Sequence, residues 1–362
     1  MQATLHRASL HYGEGLVLHT AASGSVGHLD ALYLKLAEHG KTGIGEVRIN
    51  IAYLNGFTPE AVVANARTAL AKIDWQCGAR ALVDTSGVWL PQFSAPVRMM
   101  IDSALRDLYA QQIGVSVAGL FDADSVQAPA WRSNQTLFWS SDETMLARAA
   151  RYLERGFHEL KLRVAIGAFD DDLRRIDLLR THFAGRMTLS VDANGQWSPA
   201  DCPARFAALA EREVEYVEQP IATGDWAGLR RLAETSPLII MLDESLQSDA
   251  DIDALCGFAG LPVAAHLKLV KLGGIAKTVD SARRLTAAGI PLMIGQMNEG
   301  AAATAAALQV CFATAPRWAE LYGADGLLDD PVSGLSYHAG TVRVADSAGL
   351  GVSFDSRLTQ PI

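Results

Sequence analysis

Short apolar runs alternate with amphipathic stretches from about residue 135 to residue 321. The polar ends of successive runs fall 25 to 29 residues apart. A strand-plus-helix unit that recurs at this length, with right-handed crossovers, predicts a parallel βα barrel. The intervening helices, such as 172–183, carry apolar residues on one face. The predicted strands are 136–139, 159–163, 187–192, 215–218, 238–243, 264–268, 291–295 and 317–321.

The first third of the chain has a different, α+β pattern. Apolar segments at 15–21 and 31–36 predict a pair of strands, and 41–46 predicts a turn into another strand. A helix is expected from Thr58, because threonine is a good N-cap and proline follows it, and a second helix is expected at 94–111. The Ala-rich stretch 301–315 predicts a buried helix. Two short strands are predicted at 341–344 and 351–354, and their spacing does not continue the strand-and-helix repeat of the barrel.

Charged residues stand where the predicted barrel strands end, and strand C-termini form the active-site face of a βα barrel. Asp192, Glu218 and Asp243 end three successive strands, so their carboxylates should converge. Three carboxylates together repel one another, and a divalent cation with oxygen ligands, such as Mg²⁺, removes that cost. The next strand brings Lys268 to the site, and an earlier strand brings Lys161 and Arg163. Cations flanking a metal-bound substrate carboxylate would stabilise an enolate, and a lysine near other cations can act as a base.

Each of these residues has a structural alternative. A single strand-end acid is more often a helix cap or a surface charge, but three at successive strand ends rarely coincide by chance. Lys271 and Lys277 lie past a strand end and are expected to be solvated. His266 lies two residues before Lys268, so both side chains should point to the same side of the strand. We expect His266 to line the barrel interior as a structural residue.

Composition narrows the function classes. The 362 residues are 49% hydrophobic and 20% charged, with a formal charge of −9 and no concentrated basic surface, so a nucleic-acid partner is not expected. The apolar stretch 301–315 is too short to cross a membrane. Four widely spaced cysteines and an N-terminus without a secretory pattern predict a cytoplasmic protein.

Eight short motifs stand at or near the predicted strand ends and in the C-terminal segment. They are KLRV at 161–164, VDANGQW at 191–197, YVEQP at 216–220, LDES at 242–245, LKLVKLGGI at 267–275, QMNEG at 296–300, ELYG at 320–323 and GLGV at 349–352. Together these motifs resemble the enolase superfamily, and within it the muconate-lactonizing-enzyme subgroup of the mandelate racemase family. No histidine ends the seventh strand, where mandelate racemases have one, and the third acidic residue is Asp rather than Glu; both points favour that subgroup.

The resemblance implies a modified (β/α)7β TIM barrel with a discontinuous capping domain. We expect an N-terminal α+β capping domain at 1–125, a catalytic barrel at 126–329, and a segment at 330–362 that packs back on the cap. Substrate choice would lie in cap loops at 20–30, with Ser23, Ser25, His28 and Asp30, and at 49–56. The family also suggests a homo-oligomer.

The resemblance also implies the roles of the site residues. Mg²⁺, with Mn²⁺ as the alternative, would bind Asp192, Glu218 and Asp243, and Lys268 would be the acid/base. The substrate would be a small carboxylic acid. Lys161 and Arg163 would be the catalytic cations. The residues that would contact the substrate are Glu299, Glu320 and Asn298. Asn194 and Glu244 would contact the metal ligands without binding the metal themselves.

One departure bears on the reaction. The family's second strand usually reads Lys-x-Lys, and its second lysine faces Lys268 across the substrate; here that position is Arg163. Arginine stays protonated at ordinary pH and donates protons poorly, so two-base racemisation is disfavoured. The prediction is therefore a one-base lyase or cycloisomerase. The alternatives are a racemase or epimerase of an amino-acid derivative, with Lys161 as second base, and a non-catalytic metal- and acid-binding module.

Overall fold

An antiparallel sheet and a layer of helices form the N-terminal part of the protein. The computed structural model describes residues 1–13, 18–20, 24–122 and 130–362. The strands are β1 (Gln2–Leu10), β2 (Leu18–Thr20), β3 (Gly24–Val26), β4 (Leu29–Glu38) and β5 (Lys41–Arg48). The helices are α1 (Ala52–Asn55), α2 (Pro59–Lys72), α3 (Gly78–Asp84), α4 (Ser86–Trp89) and α5 (Ala95–Ile113).

Helix α5 packs on the sheet through a close approach at β5. A Cβ built on Gly45 would lie 1.8 Å from the carbonyl oxygen of Met100, so only glycine allows this contact. Helix α2 begins as predicted, because the Thr58 side chain accepts a hydrogen bond from the amide of Ala61 (3.2 Å) and proline follows it. The predicted helix 94–111 is also confirmed as α5.

The strand pairing in this sheet differs from the prediction. Segment 31–36 lies within β4, whose partners are β1 and β5. Strand β2 pairs instead with β3, and residues 14–17 and 21–23 lie outside the described part of the chain. The sequence pattern did not predict strand β1. This strand pairs with a distant segment, with His6 opposite Tyr33, and such a pairing cannot be recognised from the local sequence.

Eight parallel strands then follow in chain order and form a barrel, which confirms the predicted fold class. The Asn134 amide donates to the Ala319 carbonyl (2.9 Å) and joins the first and last of these strands. After β6 (Ala130–Arg132), the barrel strands are β7 (Gln135–Leu137), β8 (Glu159–Arg163), β9 (Thr188–Asp192), β10 (Val214–Glu218), β11 (Ile239–Leu242), β12 (Val263–Lys268), β13 (Leu292–Gly295) and β14 (Trp318–Glu320).

Helices connect these strands and cover them. They are α6 (Asp142–Glu154), α7 (Phe169–Phe183), α8 (Cys202–Ala210), α9 (Trp226–Thr235), α10 (Asp249–Cys256), α11 (Leu269–Leu272), α12 (Ile275–Ala287) and α13 (Ala301–Thr314). Helix α13 is buried along residues 301–311, as its alanine-rich sequence predicts. Its side chain at Gln309 accepts a hydrogen bond from the amide of Ala118 (2.9 Å).

The C-terminal segment contacts both parts of the molecule. Its last strand pairs with β1, and its third strand pairs with β6 beside the barrel. The domain limits remain a prediction, and the limit near residue 125 falls in 123–129, outside the described chain. The segment's strands are β15 (Val332–Ser333), β16 (Ser336–His338), β17 (Thr341–Arg343), β18 (Ser353–Phe354) and β19 (Gln360–Pro361).

Two structural facts bear on the predictions about disulfides and membrane spans. All four cysteines are free thiols. Among the described helices, none combines the length and the apolar character that a membrane span requires.

Candidate active site

The candidate site lies at the C-terminal ends of the barrel strands, because parallel strands present their ends at one mouth. Asp192 and Glu218 end β9 and β10, and Asp243 follows β11 directly. All three carboxylates are buried, so their charges must be balanced within the protein. The three acids that the strand spacing selected therefore lie at the same mouth of the barrel, but the group whose ligand atoms lie within 4.8 Å of one another contains Glu218 and Asp243 and not Asp192.

Glu218 and Asp243 lie close together, and His266 belongs to the same group. Glu218, Asp243 and His266 each offer a ligand atom within 4.8 Å of the others. Nδ1 of His266 is 2.8 Å from Oε1 of Glu218. Asp192 instead pairs with Arg163 and accepts the amide of Asn194 (2.9 Å).

Lysine side chains surround this pair of acids. Lys161 donates to Glu218 (2.7 Å), also pairs with Glu320, and lies 3.8 Å from Asp192. Lys268 donates to Asp243 (2.6 Å) and lies 3.9 Å from Glu320. Glu320 thus lies between the amines of Lys161 and Lys268.

Burial and neighbouring charges shift the pKa values of the acids in opposite directions. Burial raises the pKa of Asp192 well above its usual value, although Arg163 opposes the rise. Burial also acts on Asp243, but Lys268 and Lys271 outweigh it and bring the pKa well below its usual value. For Glu218, Lys161 and His266 likewise overcome burial and lower the pKa.

Burial and the neighbouring carboxylates also shift the pKa values of the two lysines in the site. Burial alone would lower the pKa of Lys268, but Asp243 and Glu320 raise it above its usual value. Lys161 behaves in the same way because of Glu218 and Glu320. Both amines are therefore protonated while these carboxylates remain their partners.

The donor set fits a hard divalent cation. Carboxylate oxygens are the ligands that Mg²⁺ and Mn²⁺ prefer, whereas imidazole nitrogen suits softer metals. Asp192, Glu218 and Asp243 supply buried carboxylates. Oε2 of Glu244 is buried without a hydrogen-bond partner, and burial together with Asp243 raises the pKa of that side chain. Buried negative charge favours the binding of a cation. Asp192, Glu218 and Asp243, rather than His266, would therefore hold the metal.

Lys271 corrects the expectation of a solvated lysine. It is buried, and its Nζ donates to Oδ1 of Asp243 (2.6 Å) and to the carbonyl of His266 (3.2 Å). The one-turn helix α11 follows Lys268 immediately and turns Lys271 back toward the barrel. A spacing of three residues on a helical turn places both lysines on one side, and this signal could have identified Lys271. Lys277 is partly exposed and pairs with Asp249 at 2.6 Å.

The remaining predicted residues also lie at the barrel mouth. Asn194 donates to Oε1 of Glu244 (3.1 Å). Glu299 is buried; one of its oxygens accepts the amide of Met297 (3.1 Å), and the other has no partner. Asn298 has a left-handed φ of 52°, and its side-chain nitrogen is buried without a partner.

The predicted substrate loops are only partly described. Ser23 lies outside the described residues. Asp30 lies within β4 rather than in a loop, and it pairs with Arg7 (2.8 Å).

Comparison with known proteins decides the family. The model of the family "Enolase C-terminal domain-like" matches residues 144–358, more than half of the chain. The protein belongs to this family. It is an enolase-superfamily enzyme of the muconate-lactonizing-enzyme-like subgroup, which confirms the resemblance and excludes the purely binding module.

Its enolase-superfamily relatives include enzymes of two reaction types. Muconate cycloisomerase 1-2 of Acinetobacter lwoffii is 30% identical over 333 residues, which cover 87% of this chain and 83% of the relative. Dipeptide epimerase from Enterococcus faecalis, solved with Mg and the dipeptide L-Leu-L-Tyr, has a TM-score of 0.87 at 25% identity, covering 97% of this chain and 99% of that one. Muconate lactonizing enzyme from Pseudomonas fluorescens, complexed with muconolactone, shares the fold with a TM-score of 0.89 at 24% identity, covering 99% and 97%.

Proposed function

We propose that this enolase-superfamily enzyme removes the proton α to a substrate carboxylate in a Mg²⁺-dependent reaction with one base. Lys268 is that base, and the reaction is a lyase or cycloisomerase reaction in which a β leaving group departs. Asp192, Glu218 and Asp243 hold the metal, with Mn²⁺ as the alternative ion. When bound, Mg²⁺ would supply positive charge beside the substrate carboxylate and take up carboxylate charge that now raises the pKa of Lys268.

The observation that carries the one-base assignment is the difference between the two sides of the site. Lys268 provides an amine beside Asp243 (2.6 Å). The second strand provides the guanidinium of Arg163, whose pKa is raised well above its usual value because Asp192 outweighs the effect of burial. Arg163 therefore stabilises negative charge but exchanges no proton at ordinary pH.

Lys161 has a supporting role in this scheme. Its amine is fully buried and already contacts Glu218 and Glu320. These contacts hold it protonated, so it offers positive charge to an anionic substrate. Glu299, Asn298 and Glu320 are proposed to contact the substrate, and Asn194 and Glu244 to support the metal ligands.

A second candidate is a racemase or epimerase of an amino-acid derivative. It is favoured by relatives named as dipeptide epimerases, including one from Roseobacter litoralis that is 29% identical. This reaction requires a second proton donor, which only a reorientation of Lys161 would supply.

Exchange in ²H₂O tests the proposal. The protein and Mg²⁺ are incubated with hydroxy acids, N-acyl amino acids, prolines and muconates, and α-deuterium is measured by mass spectrometry. We expect at least one acid to exchange, and Lys268→Ala to abolish that exchange while Lys277→Ala, on the surface, retains it.

Two results would contradict parts of the proposal. Absence of exchange in every acid, with binding unchanged in Lys268→Ala, removes the proposed chemistry. Exchange with inversion of configuration favours the epimerase candidate over the one-base reaction.

We further propose a cytoplasmic homo-oligomer, on the basis of the free thiols and the family resemblance. Sedimentation at micromolar concentration tests the assembly, and a monomer would contradict it.

A further inference from the structure

His266 is a buried histidine inside the barrel to which the proposed reaction gives no role. It lies on β12, two residues before Lys268, and its side chain is 0% exposed. Its Nδ1 is 2.8 Å from Oε1 of Glu218, one of the proposed metal ligands. An ionised carboxylate only accepts hydrogen bonds, so the ring nitrogen that faces Glu218 carries the hydrogen and donates it.

The other oxygen of Glu218 is held as well. Lys161 donates to Oε2 from the opposite side of the carboxylate (2.7 Å). Each carboxylate oxygen has two lone pairs, so one donor on each oxygen leaves Glu218 able to bind a cation. The orientation of this carboxylate is therefore fixed by the protein's own side chains.

The backbone of His266 is joined to a second proposed ligand. Lys271 donates both to the carbonyl of His266 (3.2 Å) and to Oδ1 of Asp243 (2.6 Å). Position 266 thus contacts Glu218 through its ring and is linked to Asp243 through Lys271. Both contacts are buried, where a displaced partner would leave a polar group unpaired.

Gly295 on the neighbouring strand makes room for the ring. Strands β12 and β13 pair with Lys268 opposite Gly295. A Cβ built on Gly295 would overlap Nε2 of His266 and would lie 3.0 Å from Cδ2. The backbone at 295 is outside the left-handed region, so the ring rather than the backbone conformation requires glycine here. Nε2 has no hydrogen-bond partner among the described residues, so the ring acts on its surroundings through Nδ1.

We propose that His266 is a positioning residue for the metal ligand Glu218, and that Gly295 is present because the ring needs its space. The ring contacts neither substrate nor metal, and it holds the Glu218 carboxylate in the orientation that receives the cation. This inference rests on the proposed function, in which Glu218 binds Mg²⁺ or Mn²⁺. Hydrogen-bond partners of metal ligands contribute about 10- to 100-fold to metal affinity.

Binding of Mn²⁺ to the substrate-free protein tests the role of His266, with free Mn²⁺ measured by electron paramagnetic resonance. His266→Leu has no donor and should weaken binding about 10- to 100-fold. His266→Asn should retain most of the affinity, because the side-chain nitrogen of asparagine can take the place of Nδ1. His6→Leu is the matched control and should leave the affinity unchanged. It removes another buried histidine, whose ring lies in β1 and contacts Thr359 (3.0 Å).

Gly295→Ala tests the packing of the ring. In the wild-type background the new methyl group must displace His266, so Mn²⁺ affinity should fall about as far as in His266→Leu. In the His266→Asn background no atom occupies the place of Nε2, so the same substitution should cost less than about 3-fold. Residues in contact give such non-additive effects, whereas independent sites do not. This comparison decides the question even if His266→Leu does not fold.

Several results would overturn the inference. They are an unchanged Mn²⁺ affinity in folded His266→Leu, an equal loss from Gly295→Ala in both backgrounds, and a directly bound nitrogen in the electron-spin-echo modulation of the Mn²⁺ protein. The first two leave the proposed function intact. If the variants weaken Mn²⁺ binding as expected but no acid exchanges α-deuterium, the proposed chemistry fails and the role of His266 stands. A wild type that binds no Mn²⁺ would contradict both.

Discussion

At the scale of single residues, we infer from the proposed function that the cation at position 163 controls which reactions the site can perform. Lysine and arginine both stabilise negative charge, but only lysine gives up a proton near neutral pH. Arg163 lies beside Asp192 and its side chain is 93% buried, so its charge is fixed. The chemistry should therefore change with this one residue.

Arg163→Lys should add racemisation to the wild-type activity. The new amine would lie on the side opposite Lys268 and could return a proton there. We expect α-deuterium exchange with retention in the wild type and with mixed configuration in Arg163→Lys, measured by chiral chromatography of the recovered acid.

Arg163→Met is the control, because it removes the charge without supplying an amine. It should exchange slowly and without inversion. Inversion by the wild type, or its absence in a folded Arg163→Lys that still exchanges, would contradict the role given to position 163.

Lys271 and Lys277 show how burial changes the energetic value of a lysine. Lys271→Met leaves Asp243 with one cation fewer and removes the hydrogen bonds of Nζ to three buried oxygens, which are Oδ1 and the carbonyl of Asp243 and the carbonyl of His266. Breaking a buried pair costs about 3–5 kcal/mol, whereas a surface pair contributes about 0–1 kcal/mol. In urea unfolding, Lys271→Met should lose several times more free energy than Lys277→Met, and equal losses would contradict the buried role.

At the scale of elements, strand β5 of the N-terminal sheet holds the loop that carries Asn298 and Glu299. Glu46 accepts hydrogen bonds from the amides of Gly300 (2.6 Å), Ala302 (3.1 Å) and Ala303 (3.0 Å) at the start of α13. Arg48, two residues along the same strand, donates to the carbonyl of Met297 (2.8 Å). The geometry of the seventh strand end thus depends on a strand from the other part of the molecule.

Glu46→Gln should destabilise the protein and weaken substrate binding together. The amide NH₂ cannot accept from helix amides, so at least one buried N–H loses its partner at a cost of about 1–3 kcal/mol. We expect that loss in urea unfolding and a raised KM. The control Glu60→Gln, an exposed acid in the first turn of α2, should cost less than about 1 kcal/mol. An unchanged KM in a destabilised Glu46→Gln would limit Glu46 to a structural role.

At the scale of the whole molecule, the C-terminal segment and the N-terminal sheet share a buried acid on α5. Asp107 accepts hydrogen bonds from the amide of Ile44 in β5 (2.9 Å) and from the amide of Leu350 (2.8 Å). Burial raises the pKa of Asp107 to about 6, against about 3.9 in an unfolded chain. The stability of the protein is therefore linked to pH through this contact.

Between about pH 3.9 and pH 6 the folded state holds the Asp107 proton that the unfolded chain has lost. The contribution of Asp107 to the free energy of unfolding therefore falls as pH rises through this window, by about 3 kcal/mol in total. In urea unfolding from pH 4 to 7, the stability of the wild type minus that of Asp107→Asn should decrease by most of this amount, about 2 kcal/mol. A difference that is constant or increases would contradict it.

Asp355→Asn provides a control with the opposite sign. A hydrogen bond from Arg357 lowers the pKa of Asp355 to about 2. Its stabilising contribution is lost as pH falls below about 3.9, so the wild-type minus variant difference should rise with pH there and stay constant from pH 4 to 7.

The sequence by itself determined the barrel and the acids at its mouth. Strand ends recur at 25 to 29 residues, and side-chain position in a parallel barrel follows directly from position in the strand. Asp192, Glu218, Asp243 and Lys268 could therefore be placed at one mouth without coordinates. The helices that begin at Thr58 and at residue 94 could also be predicted, because helix caps and helical spacing of apolar residues are local signals.

Only the tertiary structure decided the pairings between distant segments. The partner of β1, the contact of Lys271 with Asp243 and the hydrogen bonds of Glu46 to the start of α13 each depend on residues far apart in the chain. Burial is what gives these contacts their strength, because a charge or amide removed from water must find a partner inside. The pattern of one strand or helix does not specify which distant residue that partner is.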